Sequence, residues 1–327
     1  MDCIICLTPL SDGGTIEHVI PDSIGGTLTL PDVCSSCNSL LGTHVDSALV
    51  NNFFVATERA RLRLTGKAGE VPNPFEDVTL TDDQGNHYRY HLGPDGKPKN
   101  LELVPRKEAN SDGHTIRFWF DGKDKRVDEK IARFIERQEK QGVKVNEVDR
   151  RAFHEDFPRL NMTMQISTFD WQLAILKIAY ELAYLRLGPV YLNDPVAVRI
   201  RTLFQEAPVD LERLQAAKIQ GTIQLVSNAG GQVDPLQSFC SQDTLLAAFV
   251  PTSGAGYVYV NILNLFEGRI LAAGKAESTI PPWIYIRDLK RQTEFKGDFD
   301  EFFATHRPYR ALVRSSGWML DHDGAGT

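Results

Sequence analysis

The first part of the chain alternates short apolar and polar segments in a way that predicts strand, loop, strand and helix. The apolar-rich run Thr15–Ile20 is a predicted strand that ends at Pro21, because proline interrupts a strand. A loop follows, with Gly25-Gly26 at its turn. Thr29–Val33 is a second short predicted strand. These two strands are close enough in sequence to pair.

Two helices are predicted after the second strand. The first carries Asn38 and ends near Gly42, because glycine is common where helices stop. Thr43 and Asp46 match the capping-box pattern, in which an N-cap hydroxyl precedes an acidic residue by three positions. This pattern predicts a second, longer helix that extends to about Leu64. Asp46 is therefore expected to have a structural role.

The rest of the chain mixes helix-like and strand-like segments. Turn residues punctuate residues 66–122 and predict hairpins there. The later predictions are helices at Arg126–Gln141, Trp171–Leu187 and Asp194–Phe204, and strands at Asn161–Ser167, Thr222–Val226, Leu245–Val250, Tyr257–Leu263 and Arg269–Ala272. We therefore expect an α+β fold with a small module at residues 1–65 and a larger α+β domain at 66–327. The hairpins of 66–122 form either part of that domain or a separate lobe.

Composition and charge narrow the class of protein. The chain has 327 residues, of which 42% are hydrophobic and 24% charged, as is ordinary for a globular protein. Its formal net charge of -7 gives no overall positive field, so contact with nucleic acid depends on local basic patches. The sequence has no apolar run long enough to span a bilayer, and Met1-Asp2-Cys3 does not begin a signal peptide. We expect no membrane partner and a cytoplasmic location.

The cysteines are concentrated near the N-terminus. Four of the five form two C-x2-C pairs, Cys3 with Cys6 and Cys34 with Cys37. In a reducing compartment such pairs favour metal binding over disulfides, and four thiolates suit one tetrahedral, structural zinc ion. The zinc would stabilise a module too small to build its own core. Cys240 stands apart and is expected to be a small apolar core residue.

An ordered series of residues accompanies the cysteine pairs. It comprises the block Glu17-His18-Val19-Ile20-Pro21, the turn Gly25-Gly26, Asn38 directly after the second pair, and Leu41-Gly42. This order resembles the HNH endonucleases, which have the ββα-metal fold. It is most similar to their zinc-stapled branch, which has an E-H-I-I-P-like block. The resemblance covers about residues 1–50.

The resemblance implies a site for phosphodiester hydrolysis in nucleic acid. It implies that His18 is the general base and that Glu17 and Asn38 bind a catalytic divalent cation, Mg2+ or Mn2+. The chemistry is consistent, since imidazole can take a proton from water near neutral pH. Carboxylate and amide oxygens also suit a hard divalent cation. Asp32 falls near the middle asparagine of the family motif and is expected to have a supporting role.

The series departs from the family pattern, and its residues have plainer interpretations. Glu17 occupies a ligand position where Asp or His is commoner, and the basic residue that often follows the second pair is absent. Glu17 could be a solvated charge at the end of a strand. Asn38 could cap a helix, and His18 could be a hydrogen-bonded structural residue.

Basic residues after the module are candidates for contact with nucleic acid. Arg59, Arg61 and Arg63 alternate with apolar residues near the end of the second predicted helix. Their closeness to the module makes them the first candidates for phosphate binding, although a run of charges is usually a solvated face. Lys177 and Glu181 are four residues apart on the apolar helix, and a helical ion pair is the preferred interpretation.

Three hypotheses about function follow from these features. The first is a metal-dependent endonuclease, with double-stranded DNA as the expected partner. The second is a non-catalytic, zinc-stapled nucleic-acid-binding or adaptor protein. The joint presence of Glu17, His18 and Asn38 favours the enzyme. The third concerns the biological role. A small nuclease module attached to a large further part of the chain is consistent with a gated effector of a bacterial defence system. Such an effector would be activated by a ligand, a partner protein or homo-oligomerisation.

Overall fold

The chain folds into two compact units. The computed structural model describes residues 1–10, 13–66, 69–76, 78–93, 97–109, 115–146, 149–151, 159–163, 167, 169–226, 235–277 and 279–305. Residues 1–72 and 166–327 form the first unit, and residues 73–165 form the second. Both units contain helices and strands, so the predicted α+β class is confirmed. This division differs from the boundary predicted at residue 65, because the N-terminal module shares a unit with the C-terminal half.

The described strands and helices have these bounds. The strands are β1 (Thr15–His18), β2 (Thr29–Val33), β3 (Thr79–Thr81), β4 (His87–Leu92), β5 (Pro98–Leu103), β6 (Arg106–Ala109), β7 (Ile116–Trp119), β8 (Asn161–Thr163), β9 (Gly221–Leu225), β10 (Thr244–Thr252), β11 (Ala255–Ile262), β12 (Phe266–Ala273), β13 (Trp283–Asp288) and β14 (Thr293–Asp298). The α-helices are α1 (Ser35–Leu41), α2 (Ser47–Val50), α3 (Phe53–Leu62), α4 (Val127–Glu139), α5 (Gln172–Leu187), α6 (Pro195–Gln205), α7 (Leu211–Ala216) and α8 (Phe299–Thr305).

The two predicted N-terminal strands pair in an antiparallel hairpin. Thr15 lies opposite Val33 and His18 lies opposite Thr29, with an irregularity in register between Thr15 and Glu17. A bulge of this kind changes the direction of the strand locally. It lies just before the strand end at which Glu17 and His18 are found.

Glycine is required at the turn between these strands. Gly25 has a φ of 91°, in the left-handed region that favours glycine. A Cβ on Gly26 would lie 2.0 Å from the carbonyl oxygen of Ile20. The predicted role of both glycines in making the turn is therefore confirmed.

The helix after the second strand does not end at Gly42, so that prediction is wrong. Gly42 has helical angles, with φ of -61° and ψ of -39°, and a π-helical stretch over Gly42–Asp46 joins α1 to α2. The predicted capping box does not form, because Thr43 lies inside this continuous helical segment. The actual break follows α2, and the side chain of Asn52 caps α3 by accepting from the amide of Phe54 at 3.1 Å.

The core of the first unit is built around α5. Residues 173–184 of this helix are all buried, as expected of a helix that is apolar on every side. The helix packs against a six-stranded antiparallel sheet with the order β14-β13-β10-β11-β12-β9. Apolar residues of the N-terminal module, such as Ile4, Val19 and Leu41, belong to the same buried cluster. The module and the sheet therefore share one core.

The other face of this sheet carries a smaller apolar cluster. It contains Phe299, Phe302 and Phe303 of α8 together with Leu246 and Tyr259 of the sheet. Alternation of side chains along a strand allows each face to have its own cluster. Strands β13 and β14 and helix α8 were not among the sequence predictions.

The second unit contains strands β3 to β8 and helix α4. Its strands form one sheet with the order β5-β4-β3-β8 and a separate pair, β6-β7, as the hairpin prediction for 66–122 anticipated in part. Helix α4 agrees with the charged helix predicted at Arg126–Gln141. The predicted strand Asn161–Ser167 includes β8, and residues 164–166 lie outside the described part. No helix within the described ranges is long and apolar enough to cross a membrane.

Candidate functional site

The four N-terminal cysteines converge in space. Their sulfur atoms all lie within 4.8 Å of one another, and the sulfurs of Cys6 and Cys34 are 3.8 Å apart. Four sulfurs at about 2.3 Å from one tetrahedral zinc would be separated by about 3.8 Å. The cysteine cluster therefore fits a structural zinc ion. Cys240 lies elsewhere, with its thiol donating to the carbonyl oxygen of Leu236 at 3.4 Å.

Tight backbone turns bring the cysteine pairs together. The amide of Leu7 donates to the carbonyl oxygen of Cys3 at 2.8 Å, which closes the first turn. Cys37 lies on the first turn of α1 and is buried. The amide of Cys34 donates to the sulfur of Cys3 at 3.3 Å, so the backbone of one pair already contacts a sulfur of the other.

The thiols of this cluster differ in acidity. Burial acts to raise the pKa of Cys34, but hydrogen bonds from Ser36 and the Cys37 backbone outweigh it and lower the pKa to about 6. Burial, followed by hydrogen bonding to Cys34, raises the pKa of the Cys37 thiol. The four sulfurs therefore do not all ionise together near neutral pH. A zinc ion binds thiolates, so its binding would release the remaining protons.

His18 ends β1 and has a half-buried side chain. Within the part of the chain that the structure describes, its imidazole has no hydrogen-bond partner. Its backbone oxygen accepts a hydrogen bond from Nζ of Lys177 at 2.7 Å. The plainer interpretation, a hydrogen-bonded structural histidine, thus finds no support among these residues. Both ring nitrogens are available for proton transfer.

Glu17 points into the protein. Its side chain is 5% exposed, and its carboxylate forms an ion pair with Nζ of Lys177, which is fully buried in α5. Glu17 is therefore not the solvated strand-end charge that the plainer interpretation expected. Alternation along β1 directs Glu17 inward and the next side chain, His18, to the opposite face.

Lys177 joins a cluster of three carboxyl groups. Besides Glu17, its Nζ lies 3.1 Å from Oδ2 of Asp46 and 3.6 Å from Oε2 of Glu181. Burial acts to lower the pKa of Lys177, but the negative charges beside it, that of Asp46 first, outweigh burial and raise the pKa above its usual value. The predicted pairing of Lys177 with Glu181 is present as a contact of 3.6 Å within this cluster. Asp46 contacts Lys177 instead of completing a capping box.

Asn38 ties α1 to the first strand. Its side-chain amide nitrogen donates to Oγ1 of Thr15 and to the carbonyl oxygen of Ile16, both at 2.9 Å. The residue at the N-cap of α1 is Cys34, so the helix-cap interpretation of Asn38 is wrong. Its position beside β1 follows from the helix lying against the hairpin.

Glu17 and Asn38 do not form a ready site for a divalent cation. The carboxylate of Glu17 is already neutralised by the buried ammonium of Lys177, and a second cation there would be repelled. Among the described residues, the cysteine cluster is the only group of three or more His, Cys, Asp or Glu side chains close enough to hold a metal. The residues present therefore do not fit Mg2+ or Mn2+ bound through Glu17.

Asp32 links the second strand to α5. Its Oδ2 accepts from the hydroxyl of Tyr184 at 3.0 Å, and its backbone oxygen accepts from the amide of Ile4 at 2.9 Å. Burial, followed by the hydrogen bond and the negative charge of Asp32, raises the pKa of Tyr184 to about 12. These contacts give Asp32 a role in supporting the hairpin.

The three arginines of the predicted basic patch have different surroundings. Arg59 is buried, and its Nε donates to the carbonyl oxygen of Ser23 at 2.8 Å. Arg61 pairs with Glu58 and, at 2.6 Å, with Asp243 at the start of the sheet. Arg63 is exposed at the end of α3. Arg59 therefore stabilises the glycine turn and does not present its charge to solvent.

Sequence reasoning missed the part of the site that α5 contributes. Lys177 contacts Glu17 and His18, and Tyr184 contacts Asp32, yet neither residue of α5 was assigned to the motif. One signal was available, because a lysine in the most apolar helix of the chain must find a buried partner. The sequence did not indicate which carboxylate that partner is, since Lys177 and Glu17 are 160 positions apart.

Comparison with known proteins agrees with the N-terminal motif. Residues 3–54 match the family model of the HNH endonucleases. No curated protein and no solved structure matches the chain. The matched range includes the four cysteines together with Glu17, His18 and Asn38. The N-terminal part of this chain, residues 3–54, is therefore an HNH endonuclease domain.

Proposed function

We propose that the chain is an endonuclease that hydrolyses phosphodiester bonds in DNA, with His18 as the general base. The observation that carries this proposal is the unpartnered imidazole of His18 at the end of β1, inside the range that matches the HNH endonucleases. Because no side chain or backbone group of the described residues binds the imidazole, a ring nitrogen can accept a hydrogen bond from a water molecule. DNA is the proposed partner, and the cytoplasm the proposed location.

The proposed reaction requires one proton transfer at His18. A ring nitrogen of His18 takes a proton from water, whose oxygen attacks the phosphorus atom. The bond from phosphorus to the leaving sugar oxygen breaks, and that oxygen gains a proton from solvent. Base catalysis of this type typically contributes about 100-fold to 10,000-fold to the rate.

The proposal includes two kinds of metal ion, a structural zinc ion with assigned ligands and a catalytic cation without assigned ligands. A structural zinc ion would be bound by Cys3, Cys6, Cys34 and Cys37, and would fix the hairpin against α1. The family also suggests Mg2+ or Mn2+ for catalysis, and we keep that requirement as part of the proposal. Its ligands are not assigned, because Lys177 neutralises Glu17.

Cleavage of supercoiled plasmid by the full chain tests the proposal. The wild type is compared with His18→Ala in the presence of Mg2+ or Mn2+, with and without a chelator. We expect the variant to lose about 100-fold or more of the rate. His44→Ala is the matched control, because His44 is an exposed histidine of the same module. Equal rates for the wild type and His18→Ala would refute the assignment of His18.

A second candidate function is a non-catalytic nucleic-acid-binding or adaptor protein. The neutralised carboxylate of Glu17 favours it, because an inert domain needs no free cation ligand. Plasmid binding without cleavage, with either cation, would identify this function. Loss of zinc would then abolish binding, whereas His18→Ala would leave binding unchanged.

A gated effector of a bacterial defence system is the biological setting that we propose for the nuclease. The support is the large part of the chain outside the HNH domain, which gives room for a site that binds a ligand, a partner protein or a second copy. Activation by self-association would make the rate per molecule rise with protein concentration. A constant rate per molecule at all concentrations, without any added activator, would refute gating.

A further inference from the structure

Lys177 is a buried charge in an otherwise apolar helix. Its side chain is fully buried within α5, where an unpaired ammonium would be strongly unfavourable. Its Nζ contacts the carboxylates of Glu17 and Asp46 and the carbonyl oxygen of His18. These groups belong to the end of β1 and to the π-helical stretch. The ammonium therefore links α5 to two other segments of the chain.

Two of these contacts hold consecutive residues of the same strand. The ammonium binds the side chain of Glu17 and the backbone oxygen of His18, at 2.7 Å for the latter. The ammonium of Lys177 therefore holds the chain on both sides of the peptide bond between Glu17 and His18, from inside the protein. Because side chains alternate along a strand, fixing Glu17 inward directs His18 outward.

The imidazole of His18 depends on this backbone for its orientation. A general base is usually oriented by a third group that binds its other ring nitrogen. No residue of the described ranges binds the imidazole of His18. Whatever holds the strand end therefore holds the base.

We propose that Lys177 is a positioning residue for His18, acting through the strand end that it holds and not through contact with the substrate. This inference rests on the proposed function of His18 as the base. It also makes the HNH domain dependent on α5, which lies outside the matched range. A misplacement of about 1 Å at a reacting group can reduce a rate by about 100-fold.

Lys177→Met tests the inference, because methionine keeps much of the length while removing the charge and the donor. We expect kcat to fall by about 100-fold, with an unchanged KM for plasmid and an unchanged zinc content. Ile178→Ala is the matched control. Ile178 is the next residue of α5 and is fully buried, so this change weakens the same core and keeps the ammonium of Lys177.

A second variant covers the case in which Lys177→Met does not fold. Lys177→Met with Glu17→Gln removes both members of the buried ion pair and leaves less uncompensated charge. It still lacks the donor to the carbonyl oxygen of His18. We expect it to fold, to bind zinc and to keep the low kcat. A folded double variant with the kcat of the wild type would overturn the inference.

The magnetic resonance signals of the His18 ring give a readout that is independent of activity. In isotope-labelled protein, His18→Ala identifies the His18 signals. We expect Lys177→Met, or the double variant, to shift or broaden them, whereas Ile178→Ala leaves them in place. If Lys177 variants move these signals but the wild type cuts no DNA, the proposed function fails and the positioning role holds. Unmoved signals together with an unchanged kcat would reject the positioning role.

Discussion

Burial separates the roles of two arginines near the end of the N-terminal module, Arg59 and Arg63. Arg59 and Arg63 lie on or next to the same helix, α3, and were predicted to serve the same purpose. Arg59 is 6% exposed and donates to backbone oxygens, and burial lowers the pKa of its guanidinium. Arg63 is exposed. The prediction of phosphate contact now depends on Arg63, because only an exposed guanidinium can approach a phosphate group.

Substitution of these two arginines should separate stability from binding. We expect Arg59→Ala to lower the free energy of unfolding by about 1–3 kcal/mol, because it leaves buried carbonyl oxygens without a donor. Arg63→Ala should leave stability unchanged and, if Arg63 contacts a phosphate, reduce the slope of log affinity against log salt by about one. Urea unfolding and DNA binding at several salt concentrations measure both effects. A stable Arg59→Ala with weakened DNA binding would contradict this assignment.

Glu181 should make stability depend on pH. Burial, opposed by Lys177 and assisted by the charges of Glu17 and Asp46, raises the pKa of Glu181 well above its usual value. The folded state therefore holds a proton that the unfolded state releases above about pH 4.3. By linkage, this contribution to stability is complete below that pH and is lost as pH rises towards the raised pKa of the folded state.

Glu181→Gln tests this dependence, because glutamine resembles the protonated acid in shape and cannot ionise. We expect its stability relative to the wild type to increase with pH between about pH 5 and pH 8, by at most about 1.4 kcal/mol per pH unit. Lys177 does not titrate in this range, since its pKa is raised. Urea unfolding of both proteins across the range provides the measurement. A difference that stays constant with pH would mean that Glu181 is ionised in the folded protein.

The sequence revealed the residues of the site that are close together along the chain. The spacing of Cys3, Cys6, Cys34 and Cys37 predicted their convergence, which the sulfur distances confirm. The inward direction of Glu17 could not be predicted, because its partner Lys177 comes from a distant helix. Pairing between residues so far apart is set by tertiary packing, which local patterns do not record.

At the level of elements, tertiary packing outweighed a local stop signal. Gly42 and the following capping-box pattern both predicted a break, yet the helix continues. Leu41, Val45 and Leu49 are all fully buried and four residues apart, so one face of the helix stays in the core across the glycine. That spacing was present in the sequence and was the better indicator.

Gly42→Ala should therefore stabilise the protein. Gly42 has helical angles, and a Cβ added to it would meet no atom within 4 Å. Alanine in such a position is favoured over glycine by about 0.5–1 kcal/mol. Thermal unfolding followed by circular dichroism would show a higher midpoint. Gly26→Ala is the contrasting variant and should unfold at a lower temperature, because its Cβ would overlap the carbonyl oxygen of Ile20.

The strands β13 and β14 show why other elements escaped prediction. Strand β13 begins with the apolar run Trp283–Ile286 and has charges only at its end, whereas β14 has the charged residues Glu294 and Lys296 within it. These strands lie at one side of the sheet, with β14 at its edge, where polar side chains can reach water. A charged edge strand gives a weak hydrophobic pattern, so it resembles a loop in sequence.

At the level of the whole molecule, the HNH domain does not have a core of its own. Residues of α5 and α6 bind its backbone, since the hydroxyl of Tyr180 donates to the carbonyl oxygen of Ile4 and Nε2 of Gln205 donates to that of Ile5 at 2.6 Å. Both contacts cross the predicted module boundary at residue 65, because they join Ile4 to Tyr180 and Ile5 to Gln205.

A fragment of residues 1–65 should therefore bind zinc without folding cooperatively. The cysteines need only local chain to converge, whereas Ile4, Val19 and Leu41 would lose the apolar partners they have in the full core. We expect the fragment to take up one zinc ion and to unfold without a sharp thermal transition. Calorimetry and zinc titration measure the two properties. A fragment with the cooperative transition of a folded domain would contradict this expectation.

The link between Lys177 and His18 has a consequence for the timing of synthesis. Lys177 follows His18 by 159 residues, so the ribosome makes the histidine first. At about 5–20 residues per second, roughly ten to thirty seconds separate the two. During that interval the growing chain carries the base without the residue that we propose to orient it. A nascent nuclease would therefore remain inactive towards the messenger and ribosomal RNA around it until Lys177 has been made.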